Sequence, residues 1–161
     1  KIPYILDGGA CSVGLESTII GFEDNKPVIY RLGGLSIESI ESVIGGVQVR
    51  AYSSSNPKAP GQLISHYAPR KKVVIGQIEE LLQRYPAHCS GILTFQHDFN
   101  SPHQYTLSPT GSLEEAAQRL FSGLRFFDAL PVEYILTEYV PNQGLGRAIN
   151  DRLTRAAAIP R

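Results

Sequence analysis

"SLEEAAQRLFSGLRFFDALPVEYILTEY", residues 112–139, switches from one hydrophobic pattern to another. In the first part, Leu113, Ala116, Ala117, Leu120, Leu124 and Phe127 fall along one face of an amphipathic helix. In the second, "VEYILTEY" is a short β-rich run that reads as a strand. Downstream, "GLGRAINDRLTRAAA" (144–158) reads as a closing helix. Upstream, "KVVIG" (72–76) and "GILTF" (91–95) read as strands around a short helix, "IEELLQRY", with a further short strand at "QYTLS" (104–108). Strands and helices alternating in this way predict an α/β domain, a mostly parallel sheet covered by helices, over residues 71–161. At about 90 residues it is a small complete domain.

The residues before it read differently. "YILDGG" (4–9) suggests a strand stopped by Gly8 and Gly9, and "ESTIIGF" and "KPVIYRL" two more, joined by the hairpin turn "EDN" (23–25). "SIESIESVIG" (36–45) sets Ile37, Ile40, Val43 and Ile44 at helical spacing, with Ser36 as N-cap and Gly45 as stop. Serine and proline dominate residues 47–70, which predicts an extended connector, although Tyr52 and Tyr67 are large groups to leave in a tether.

Composition bounds the function. The chain of 161 residues carries 15 Lys+Arg against 15 Asp+Glu, so no global positive charge argues for a general nucleic-acid binder. No apolar run approaches the roughly twenty residues that cross a bilayer. Cys11 and Cys89 are far apart and predict reduced, buried thiols of a cytoplasmic protein. The chain starts at Lys1 and contains no methionine, so it is expected to be a segment of something longer.

Several residues can carry chemistry. Glycine pairs at 8–9 and 33–34 allow close backbone approach, Ser17 and Thr18 offer adjacent hydroxyls, and Arg31 offers a planar fork for carboxylate or phosphate. The plainer alternative is that the glycines serve turns and Arg31 pairs with a surface carboxylate. His97, Asp98 and His103 lie in a polar loop without zinc-ligand spacing, so no metal site is expected. "GLGRAIN" has Ile149 where a dinucleotide fingerprint needs its third glycine, which favours turn chemistry over phosphate binding. Arg147, Arg152, Arg155 and Arg161 make a basic tail end without the aromatic residues that would interleave a nucleic-acid site.

Five stretches, in order, resemble the two-domain threonylcarbamoyl-AMP synthase family: "LDGGACSVGLESTII", "VIYRLGGLSIESIESVIG", "KAPGQLISHYAP", "LFSGLRFFDAL" and "GLGRAINDRLTRAA". The resemblance implies that residues 1–46 are the last part of a YrdC-like catalytic domain with an open α/β fold. Residues 47–70 are then a linker and lid, and residues 71–161 a Rossmann-like C-terminal domain. It also implies nucleotidyl transfer: L-threonine, bicarbonate and ATP, usually with Mg²⁺, give threonylcarbamoyl-AMP for the t6A modification of tRNA by downstream proteins. By motif, Ser17 is implied to contact threonine, Arg31 the nucleotide, and Tyr67 of "HYAP" to close over ATP. No residue is implied as a general base, and no direct tRNA or membrane contact is expected.

The chain departs from the family pattern at Leu32, where proline is frequent, and at Gln62 to Ser65, where relatives carry a cation and a second tyrosine. The family's Lys-x-Arg motif is not in this chain, so the segment alone is expected to be inactive. The alternative is that the C-terminal domain is a ligand-binding or regulatory module without chemistry of its own.

Overall fold

The computed structural model describes residues 2–9, 11–51, 59–60 and 69–158. Over "YILDGG" it has no strand: Tyr4, Ile5 and Leu6 are exposed, which corrects the expectation. Strand propensity alone does not hold an extended segment; a partner ladder is needed, and none of the described strands pairs with it.

The first sheet starts with β1 (Ile19–Glu23) and β2 (Lys26–Arg31), an antiparallel hairpin. Asp24 and Asn25 turn it at φ of 48° and 60°, the left-handed pair that matches strand twist and that Asp and Asn tolerate. The register slips between Ile19 and Ile20, so Ile20 faces Ile29 while Ile19 faces Arg31. Such irregularities bend a strand and re-aim its side chains. Helix α1 (Ile37–Ile44) follows, capped by Ser36, whose Oγ accepts from Ser39 N at 3.2 Å, and ended by Gly45 at φ 79°. The expected connector does not begin as a free tether. Its Gln48–Val49 form β3, parallel to β2, and Arg50 N donates to Ile29 O at 2.8 Å. Tyr52, Gln62 to Ser65 and Tyr67 lie outside the described residues.

The second sheet comprises β4 (Lys72–Ile75), β5 (Ser90–Thr94), β6 (Gln104–Thr106) and β7 (Tyr134–Thr137), all parallel, in the order β4-β7-β5-β6. Helix α2 (Ile78–Arg84) links β4 to β5, α3 (Leu113–Asp128) links β6 to β7, and α4 (Leu145–Ala157) follows β7. The two helical crossovers run in opposite directions along the sheet, so right-handed connections place α2 and α3 on opposite faces. Helix α4 packs beside α3 and over β4. The apolar face read from the sequence is the buried one: Ala116, Ala117, Leu120, Leu124 and Phe127 meet Leu93, Ile135, Ile149 and Leu153 in one core. Gly91 leaves room for the Phe127 ring, which a Cβ there would overlap.

Both thiols are free but neither is buried as expected: Cys11 is exposed and Cys89 half-buried. No helix among the described residues is long and apolar enough to cross a membrane.

The start of α3 carries a pH-dependent cap. Ser112 Oγ accepts from Glu115 N at 3.2 Å, while Ser108 and Thr110 hydroxyls donate to Glu115 Oε2 at 2.6 and 2.8 Å. Those two bonds, Ser108 first, hold the Glu115 carboxyl below its ordinary 4.5. A depressed folded pKa means the stabilisation is present above that ordinary value and is lost as pH falls through the folded one. Thermal melting should therefore drop on acidification below pH 4.5 less steeply in Ser108→Ala than in the unaltered chain. Identical slopes would remove Ser108 from the account.

Candidate functional site

Ser17 and Arg31 come together. Arg31 leaves the end of β2 and donates through Nε to Ser17 O at 2.9 Å and through Nη2 to Ser17 Oγ at 3.0 Å. Its fork is thus fixed on a neutral, exposed serine, and no carboxylate among the described residues pairs with it. Among the described residues the plainer reading of Arg31 as half of a surface ion pair finds no partner. Thr18 closes the next contact, with Oγ1 donating to Leu35 O at 2.8 Å and accepting from Leu35 N at 3.1 Å.

The loop after β2 lies directly on the segment before β1. Gly34 N donates to Glu16 O at 3.0 Å, and a Cβ on Gly33 would overlap the backbone of Glu16 to Thr18. Here the glycine pair serves close approach of two backbones. Gly9, by contrast, makes a local bond to Asp7 Oδ1 at 2.9 Å in an exposed stretch.

Beneath this layer sits a buried ionic cluster on α4. Arg152, 0% exposed, donates through Nε and Nη2 to Glu16 Oε2 at 3.1 and 2.8 Å, through Nη2 to Leu32 O at 2.9 Å, and through Nη1 to Asp151 Oδ2. Arg155, 1% exposed, donates through Nε to the same Asp151 oxygen at 2.9 Å and through Nη2 to Ala51 O at 2.7 Å. Two cations and two carboxylates balance in charge, as burial requires. The basic tail end expected from sequence is therefore not a surface patch. Arg152 and Arg155 point inward, Arg147 pairs with Glu38, and Arg161 is outside the described residues.

This cluster was missed from sequence, although a signal was present. Arg152 lies four residues after Ala148 and three after Ile149, on the apolar stripe of α4, where a charge needs a buried partner.

The other candidates resolve into local structure. In "GLGRAIN", Gly144 takes φ 49°, and a Cβ on Gly146 would overlap Pro141 O, so its glycines serve the turn. In the polar loop, Asp98 Oδ1 accepts from Asn100 N at 2.8 Å. Among the described residues no group of three or more His, Cys, Asp or Glu could hold a metal ion. A cavity of about 590 Å³ lies between the first sheet and α4, lined by Leu32, Ile37, Val49, Tyr139, Arg147 and Asp151 among others. Paired with Arg147, one of the lining residues, the Glu38 carboxyl is held below the ordinary range by its own backbone N–H and by that arginine.

Residues 35–158 match the family model described as "Threonylcarbamoyl-AMP synthase, C-terminal domain". The threonylcarbamoyl-AMP synthase of Pyrococcus abyssi is 35% identical over 171 residues, covering 98% of this chain and 50% of that protein. A crystal structure of P. abyssi Sua5 complexed with L-threonine superimposes with a TM-score of 0.83 at 33% identity, covering 94% of this chain and 48% of that one. A second P. abyssi Sua5 structure, in which a histidine and the tyrosine after it are both replaced by alanine, gives a TM-score of 0.82 at 32% identity, covering 94% and 47%. The chain thus spans about half the length of the relatives it matches.

Proposed function

The chain belongs to the family of the threonylcarbamoyl-AMP synthase C-terminal domain, and from that premise we propose that it is the C-terminal portion of an L-threonylcarbamoyladenylate synthase. The observation that carries the proposal is the Ser17–Arg31 pair, a hydroxyl and a guanidinium held by each other on one wall. Ser17 is assigned to L-threonine, in keeping with a relative whose structure holds that amino acid. Arg31 is assigned to the nucleotide. Tyr67 is assigned as the lid; His66-Tyr67 is the chain's one adjacent histidine–tyrosine pair, and such a pair is what was replaced in the second P. abyssi structure.

In this reading threonine's amine bonds to the carbon of bicarbonate as a C–O bond breaks and water leaves, and an oxygen of the resulting carbamate bonds to the α-phosphorus of ATP. The bond from that phosphorus to the bridging oxygen breaks, and pyrophosphate leaves with the electron pair. The α-phosphoryl group gains negative charge as this happens, and a cation already in place stabilises it without reorganising. The remaining contribution is positioning, which can be large by itself. Mg²⁺ would arrive on the nucleotide. Among the described residues no group of three or more His, Cys, Asp or Glu could hold it, and no step is assigned to the ion.

The first 46 residues are proposed to belong to a larger catalytic domain, residues 47–70 to a linker, and residues 71–161 to the C-terminal domain. Exposed Ile5, Phe22, Val43 and Ile44 support the first assignment, because so much apolar surface calls for a cover. The reaction is placed in the cytoplasm, where unpaired thiols persist. Its product would pass to other proteins that modify tRNA.

The test is pyrophosphate release by the purified full-length protein, which should require ATP, L-threonine and bicarbonate together. Residues 1–161 alone should release none. Release that ignores threonine, or turnover by the segment alone, contradicts the proposal.

A further inference from the structure

We infer that Arg152 is a positioning residue for the site, so that α4 of the C-terminal domain sets the distance between Ser17 and Arg31. The inference rests on the function proposed above and adds a requirement to it. Glu16 immediately precedes Ser17 and Leu32 immediately follows Arg31. Arg152 grips both neighbours at once, with Nη2 lying 2.8 Å from Glu16 Oε2 and 2.9 Å from Leu32 O. The contacts form a closed ring: Arg152 to Glu16, along the chain to Ser17, across to Arg31, along the chain to Leu32, and back to Arg152. Gly34 N on Glu16 O, at 3.0 Å, braces the same ring. A backbone shift at Ser17 or Arg31 therefore moves a residue next to one that Arg152 holds.

Two features separate positioning from simple stabilisation. The Glu16 side chain is 28% exposed, so its pair with Arg152 is partly solvent-screened and contributes correspondingly less to folding. The guanidinium also matches both acceptors with one planar fork, whereas a lysine ammonium is a single point that cannot keep the same two directions. Arg155 extends the control to the linker: its Nη2 holds Ala51 O at 2.7 Å.

The experiment is steady-state kinetics on the full-length protein carrying Glu16→Ala, Glu16→Gln or Arg152→Lys, with melting temperature measured alongside. Glu16→Ala should raise the KM for L-threonine about tenfold or more, within the roughly hundredfold that a 1 Å misplacement can cost. Its melting temperature should also fall, because Arg152 loses one of its two carboxylates, but by less than for Asp151→Ala, since water reaches the Glu16 side. The KM is therefore read on folded protein. Glu16→Gln, whose amide oxygen can accept the same N–H groups, should restore most of the affinity. Arg152→Lys should raise the KM as well, and if it fails to fold, the Glu16 pair still decides. An unchanged KM with activity lost only in proportion to folded protein overturns the inference. Ser17→Ala and Arg31→Ala serve as controls on the reading beneath it. If they leave both substrate KM values and kcat unaltered, the proposed function fails, whatever Glu16 shows.

Discussion

Replacing Asp151 by alanine should cost about 3–5 kcal/mol of folding stability, the range for removing one partner from a buried ion pair. One oxygen, Asp151 Oδ2, serves both Arg152 and Arg155, whose side chains are each 1% exposed. Without it Arg155 keeps its bond to the Ala51 carbonyl but loses the counter-charge on its own helix. Arg152 is left with Glu16 at the cluster's wetter edge. A domain of this size has a total stability of about 5–15 kcal/mol, so the loss is a large share of it. Urea unfolding of the full-length protein would measure it, provided the C-terminal domain gives a separable transition. Asp151→Asn should fall between, because the amide oxygen can still accept while the charge is gone. For scale, the exposed pair between Arg147 and Glu38 should contribute at most about 1 kcal/mol. A loss of that small size for Asp151→Ala would mean that the arginines do not depend on it.

Arg31→Ala should reduce adenylate formation by the full-length protein about 10²- to 10³-fold in kcat, the scale for deleting one preorganised charge-stabilising donor. Folding should be nearly unaffected. Arg31 is half-buried and its bonds go to Ser17, so truncation leaves no buried charge unpaired. Ser17→Ala should be milder toward the nucleotide and act on the threonine KM, since it removes one hydroxyl while the Arg31 bond to Ser17 O survives. A fall in kcat below tenfold for Arg31→Ala, with the protein folded, would take the arginine out of the reacting centre.

Much of the fold could be read where local rules and tertiary packing agree. Ser36 and Ser112 cap their helices through the side-chain bonds that such residues supply, and Asp24-Asn25 turns the hairpin its composition suggested. The face containing Leu120 and Phe127 is the buried face of α3, because its spacing is a property of the helix alone. Reading failed where an element depends on a distant partner. "YILDGG" has strand composition and no strand to pair with, whereas Gln48–Val49 lies in a polar stretch and becomes a strand because β2 offers it an edge. Arg152 and Arg155 read as a basic tail end, since besides Asp151 the groups that draw them inward, Glu16, Leu32 and Ala51, are more than a hundred residues earlier. Ser17 and Arg31 could be picked out by residue type and motif. Their mutual bond could not, since it depends on how two loops cross.

The contact between Arg152 and Glu16 spans 136 residues of chain. A ribosome makes roughly 5–20 residues per second from the N-terminal end. Ser17 and Arg31 are therefore made before the helix that braces them and wait on the order of ten seconds for it. A message cut short before α4 would encode every proposed ligand contact in this chain and still leave the two loops without their clasp.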